Sequence, residues 1–102
     1  MNIITVNEID KTHLQTVISD MKRLGSPTIK AVWVEAWDCW VALEGSHRIH
    51  AAKELGLSLD IDEIEYSSAL VGDHVITDDT QWMTVEEFVD SAWLSANLMV
   101  EV

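Results

Sequence analysis

The sequence predicts an α+β (mixed α/β) fold: a single compact domain over residues 1–102, with a small mixed sheet and three helices. Three observations predict it. Short runs rich in β-branched and aromatic residues alternate with amphipathic stretches at helical spacing. Glycines and capping residues stand at the junctions between them. No linker, internal repeat or low-complexity tract interrupts the 102 residues, a length that supports one modest core.

Each element has its own signal. Ile3-Ile4-Thr5-Val6 reads as a short strand. From Asp10 to Leu24, the residues Leu14, Val17, Ile18, Met21 and Leu24 fall on one face of a helix. Asp10 or Thr12 is placed to cap its start, and Gly25 to end it. Pro27 imposes an extended backbone. Ile29 to Ala36 and Cys39 to Leu43 then read as a hairpin turning at Trp37-Asp38. Ser46 to Leu55 is a second helix, burying Ile49, Ala52 and Leu55 and closed by Gly56. Leu59 to Ile64 alternates apolar with acidic residues, the pattern of an edge strand with one wet face. Val75-Ile76 reads as a short strand. Thr84 with Glu87 forms a capping box that opens a final helix through Phe88, Val89, Trp93 and Leu94.

Charge divides the chain. The formal net charge is −12, yet all six Lys and Arg lie within residues 1–53, balanced there by six acids. Residues 54–102 carry the other twelve acids and no Lys or Arg. Nucleic-acid affinity rests on several cations neutralising phosphates, so direct DNA binding is not expected, and nuclease action is disfavoured with it. The acidic half is either a solubilising surface or a face for a basic protein partner. Cys39 stands alone, which rules out an internal disulfide and fits a reducing cytoplasm. No signal-peptide pattern and no apolar run of about 18 residues is present, so neither secretion nor a membrane span is expected.

One stretch carries chemistry: Leu43-Glu44-Gly45-Ser46-His47-Arg48. A strand ending in glycine allows a sharp turn and close backbone approach. The helix that follows offers unpaired N–H groups and the positive end of its dipole. Ser46 suits the N-cap and also donates to an anion. The Arg48 fork projects back over the turn and matches phosphate geometry, with His47 as a second donor. The same junction also reads as a plain strand-to-helix connection in which Arg48 pairs with Glu44.

The segment "EGSHRIHAAKELGL" resembles the signature of the ParB/sulfiredoxin superfamily, a Gly-x-(His/Arg)-Arg run that opens a helix. "GSPTIKAVWV" is similar to the Gly-x-x-Pro-Ile-x-Val stretch that leads into it, and the likeness spans residues 3–65, leaving 66–102 as an acidic extension with a final helix. The resemblance implies a nucleotide (ATP, ADP or CTP, with Mg²⁺) whose phosphates lodge at Gly45, Ser46, His47 and Arg48. It implies Glu44 and His47 as catalytic residues, Glu44 holding the metal or steering a hydroxyl. Ser46 occupies the place of the sulfiredoxin catalytic cysteine, and its hydroxyl lacks the thiolate that chemistry needs. Glu44 keeps the acidic position of the free-serine kinases, whereas their base glutamate has no equivalent placed in Asp10-Lys11-Thr12-His13. An acidic C-terminal third stands where partition ParB proteins carry a DNA-binding helix-turn-helix.

The remaining candidates have plainer readings. His47 and His50, three apart, are spaced to share a metal but lack a carboxylate at good spacing, so no metal site is assigned. His13 and His74 read as isolated, and Asp78-Asp79 as an acidic turn or a Mg²⁺ ligand pair. The tryptophans read first as core, with Trp37 the one suited to a partner interface. The expected function is therefore nucleotide-phosphate binding, with phosphoryl transfer or nucleotide hydrolysis as the reaction. The alternative is a non-catalytic interaction module, an inhibitor, immunity or regulatory factor, acting through its acidic half.

Overall fold

A computed structural model describes residues 1–6, 9–76, 80–92 and 99–102. Trp93, Leu94, Asp78 and Asp79 lie outside the described residues. Five strands form one sheet: β1 (Asn2–Ile4), β2 (Thr28–Val34), β3 (Cys39–Ala42), β4 (Asp60–Glu63) and β5 (Met99–Glu101). Three α-helices accompany them: α1 (Lys11–Leu24), α2 (Ser46–Leu55) and α3 (Val85–Ala92). The strand order is β4-β2-β3-β1-β5. β2–β3 and β1–β5 pair antiparallel, β1–β3 and β2–β4 parallel. This is the mixed α+β architecture that the alternation of elements predicts.

The sheet is buried on both faces, and the pleat sorts its residues between them. Ile3, Ile29, Ala31 and Ala42 face Met21 of α1 and Ile49, Ala51 and Ala52 of α2. Ile4, Val32, Cys39 and Val41 face Val85, Phe88, Val89 and Ala92 of α3, joined by Val71 and Val75. Adjacent residues such as Ile3 and Ile4 thus serve opposite cores, which explains the near-continuous apolar runs of β1 and β2.

The helix ends follow their capping chemistry. The Asp10 carboxylate accepts from the N–H groups of Thr12 and His13 at 2.9 and 3.0 Å, capping α1. The Glu87 N–H donates to Thr84 Oγ1 (3.1 Å) and the Thr84 N–H to Glu87 Oε1 (3.3 Å), the reciprocal box expected before α3. α2 runs from Ser46 to Leu55 and ends at Gly56, as its sequence predicts.

Four expectations need correction. The hairpin does not turn at two residues: Glu35–Trp37 form a 3₁₀ turn and Asp38 takes a left-handed conformation (φ 50°) before β3. Val75-Ile76 is not a strand. Val75 is instead buried after a 3₁₀ turn over Val71–Asp73, while Ile76 is exposed, and a single bridge joins Leu70 to Thr84. Leu24 is 74% exposed rather than buried, at the last position of α1 before Gly25 ends it. Trp37 is half-buried against the α3 core, and among the described residues the exposed tryptophans are Trp33 and Trp82. Trp33 and Trp40, paired across β2 and β3, meet edge-on with centroids 5.3 Å apart.

Phe88 is the largest fully buried side chain of the α3 core. Phe88→Ala should cost about 3–5 kcal/mol of stability, read as a lowered urea midpoint at unchanged slope.

Candidate functional site

The junction between β3 and α2 is built around Gly45. Its φ of 83° is left-handed, which glycine adopts freely and other residues only with strain. Space is tight as well: a Cβ there would lie 2.8 Å from Ile29 Cδ1 and 3.1 Å from Arg48 Nη2, so those side-chain ends would have to shift. Gly45 therefore lets the Arg48 guanidinium lie against the backbone of the turn.

Arg48 is held at two points. Its Nη2 donates to Glu44 Oε1 at 3.0 Å, and its Nη1 to the Thr28 carbonyl at 3.0 Å. The first bond is also a salt bridge between side chains that keep about a third of their surface exposed (38% for Arg48, 35% for Glu44). The second fastens α2 to the start of β2. Both sequence readings of Arg48 are thus realised: it folds back over the turn, and it pairs with Glu44.

Ser46 is not the N-cap. Gly45 takes that place, Ser46 is the first helical residue and only 3% exposed, and no side chain caps α2. A helix start without a side-chain cap leaves its first N–H groups to an outside acceptor.

His47 does not act as the second donor through Nε2. That nitrogen accepts the Asp10 N–H at 3.0 Å, so the neutral ring carries its proton on Nδ1. The same ring meets His13 edge-on, with centroids 4.5 Å apart. His13, which reads as isolated in the sequence, is therefore part of the site. Only the packing of α1 on α2 brings it there, and no sequence spacing signals it. Burial pushes the His47 pKa down, the neighbouring His13 adds to this, and Asp10 opposes it. His50 is pushed down by burial, then by His47 and Lys53, and its buried Nε2 has no hydrogen-bond partner. Backbone bonds from His13 and Thr12 hold Asp10 below the usual carboxylate range.

These residues surround one cavity of about 350 Å³, lined by His13 and Val17 of α1 together with residues 44–48. All five predicted site residues, Glu44, Gly45, Ser46, His47 and Arg48, come together in its wall. A second cavity of about 290 Å³ shares Val17 and Arg48 with it and is bounded by the apolar Met21, Leu24 and Pro27 and by Asp20 and Ser26. Among the described residues, no group of three or more His, Cys, Asp or Glu is placed to hold a metal ion. No helix among them is long and apolar enough to cross a membrane. No protein-family model, curated protein or solved structure matches the chain.

The histidines set a pH dependence whose sign is fixed. With folded-state pKa values below the ordinary 6.5, His47 and His50 bind protons more readily in the unfolded chain. Their contribution to stability is complete above pH 6.5 and is lost as pH falls through the folded values. The urea midpoint should therefore drop between pH 7.5 and 5.5, and the H47Q/H50Q double variant should show a smaller drop.

Proposed function

We propose that the turn at residues 44–48 binds the phosphate of a nucleotide. The observation that supports this most is the α2 N-terminus, without a side-chain cap, opening with the Arg48 guanidinium into a single cavity. Helix N–H groups, the helix dipole and an arginine fork together favour a phosphate. The adjoining cavity, sharing Val17 and Arg48 and lined by Met21, Leu24 and Pro27 with Asp20 at its wall, offers room for a base. The resemblance to the ParB/sulfiredoxin superfamily points to the same turn, with ATP, ADP or CTP as the ligand.

The fitting reaction is phosphoryl transfer or nucleotide hydrolysis, because positioning and charge neutralisation supply most of that catalysis. A Mg²⁺ ion bound with the phosphates would supply further positive charge. It needs only one or two protein carboxylates, and Glu44 is the one in the cavity wall. His47 would serve as a neutral imidazole, oriented by the Asp10 amide. The buried, lone Cys39 fits a reducing compartment, and the proposal places the chain in the cytoplasm.

Calorimetric titration of ATP, ADP and CTP, each with Mg²⁺, tests this reading. Saturable binding that weakens about 10-fold or more in Arg48→Ala is the expected result, as for a lost hydrogen bond to a charged group. No binding at millimolar nucleotide overturns it.

A second reading draws on the acidic face. Trp82 is 67% exposed, Leu70 and Tyr66 are exposed on the same segment, and Asp73, Glu86, Glu87 and Asp90 are exposed around it in sequence. Exposed aromatic and apolar residues amid acids suit a basic protein partner. Charge reversal at Asp73, Glu86 and Asp90 should abolish partner binding that Arg48→Ala leaves intact, measured by co-purification.

A further inference from the structure

Arg48 already has an anion. The Glu44 carboxylate takes one N–H of Nη2, and the Thr28 carbonyl takes one of Nη1, so two of five guanidinium donors are engaged. The Glu44–Arg48 pair lies in the cavity wall with both side chains partly exposed, so it is open to exchange rather than locked in a core. Glu44 is also tethered only four residues away. A tethered group competes at a millimolar or higher effective concentration, whatever ligand is free in solution.

We propose that Glu44 is a built-in counter-ion of Arg48 which an incoming ligand must displace, so that the site admits a terminal phosphate carrying two charges and rejects phosphodiesters and other singly charged anions. The inference rests on the phosphate reading above and names the ligand class for that site. Exchanging one carboxylate for another single charge gains nothing in Coulomb energy. It also leaves the displaced Glu44 close by as a repulsive neighbour. A phosphomonoester brings nearly two charges at pH 7 and three acceptor oxygens. That suffices to take the Arg48 fork and the N–H groups of α2 together. His47, in the same wall and pushed toward its neutral form by burial, does not offset Glu44. The site is thereby matched to free nucleotides rather than to a nucleic-acid backbone, in keeping with a chain of net charge −12.

The test compares AMP and CMP with their 3′,5′-cyclic forms, which share base and sugar but carry a single charge. Each is titrated calorimetrically at pH 7.5 without Mg²⁺ against the wild type, Glu44→Gln and Glu44→Ala. The wild type should prefer an open monophosphate over its cyclic form by about 10-fold or more, the scale of one charged hydrogen bond. Both variants should bind the cyclic form more tightly and narrow that preference to about 3-fold or less, since Arg48 is then released. An unchanged preference in both variants, with binding retained, overturns the counter-ion role and leaves the phosphate reading standing. Absence of saturable binding by any of the four ligands to wild type and variants alike overturns this proposal, and the phosphate reading falls with it only if ATP, ADP and CTP with Mg²⁺ also fail to bind.

Discussion

The left-handed turn at Gly45 is the constraint on which the rest of the site depends. It lets β3 hand over to α2 within a few residues, and it clears the space that the Arg48 guanidinium occupies. Arg48 in turn ties α2 to the Thr28 carbonyl at the start of β2, so helix, turn and neighbouring strand are fixed by one side chain. The same conformation leaves the start of α2 without a side-chain cap. The junction of β3 with α2 and the proposed phosphate site therefore share one backbone geometry.

Electrostatically, the site is a small exception within an acidic molecule. Six cations serve the whole chain, and Arg48 is the one in the cavity at residues 44–48. Around it stand two imidazoles and one carboxylate. Burial and mutual proximity push His47 toward its neutral form, because two facing rings cannot both charge cheaply. The proposed recognition would lean on directed N–H groups and one planar fork more than on a general positive field. Such an arrangement favours geometry over bulk attraction.

Much of this was legible in the residues, for local reasons. Gly45 and Gly56 bracket α2, and Thr84 with Glu87 marks the start of α3, because capping is decided within four residues. The five site residues are contiguous, so their gathering needed no tertiary knowledge. The illegible parts depend on distant segments. His13 reaches His47 only through packing of α1 on α2. β5 went unread because three residues, Met99-Val100-Glu101, are too few for alternation to show, and they become a strand only by pairing with β1. Val75 mimics a strand through its β-branched neighbour Ile76, yet the core claims it from an irregular segment. Ser46 looks like a cap by residue type, but the glycine before it takes the capping position.

The pairing of β5 with β1 joins the two extremes of the described chain side by side. Ile3 sits opposite Val100, and the Val102 N–H donates to the Met1 carbonyl at 2.8 Å. β1 is thereby an interior strand only because residues 99–102 cover its outer edge. Were that segment clipped by a protease, a fully apolar pair, Ile3-Ile4, would stand at an open sheet border, ready to recruit another chain. Residues 99–102 thus move the sheet border from the apolar Ile3-Ile4 pair to Met99-Val100-Glu101, where the border strand carries a charge.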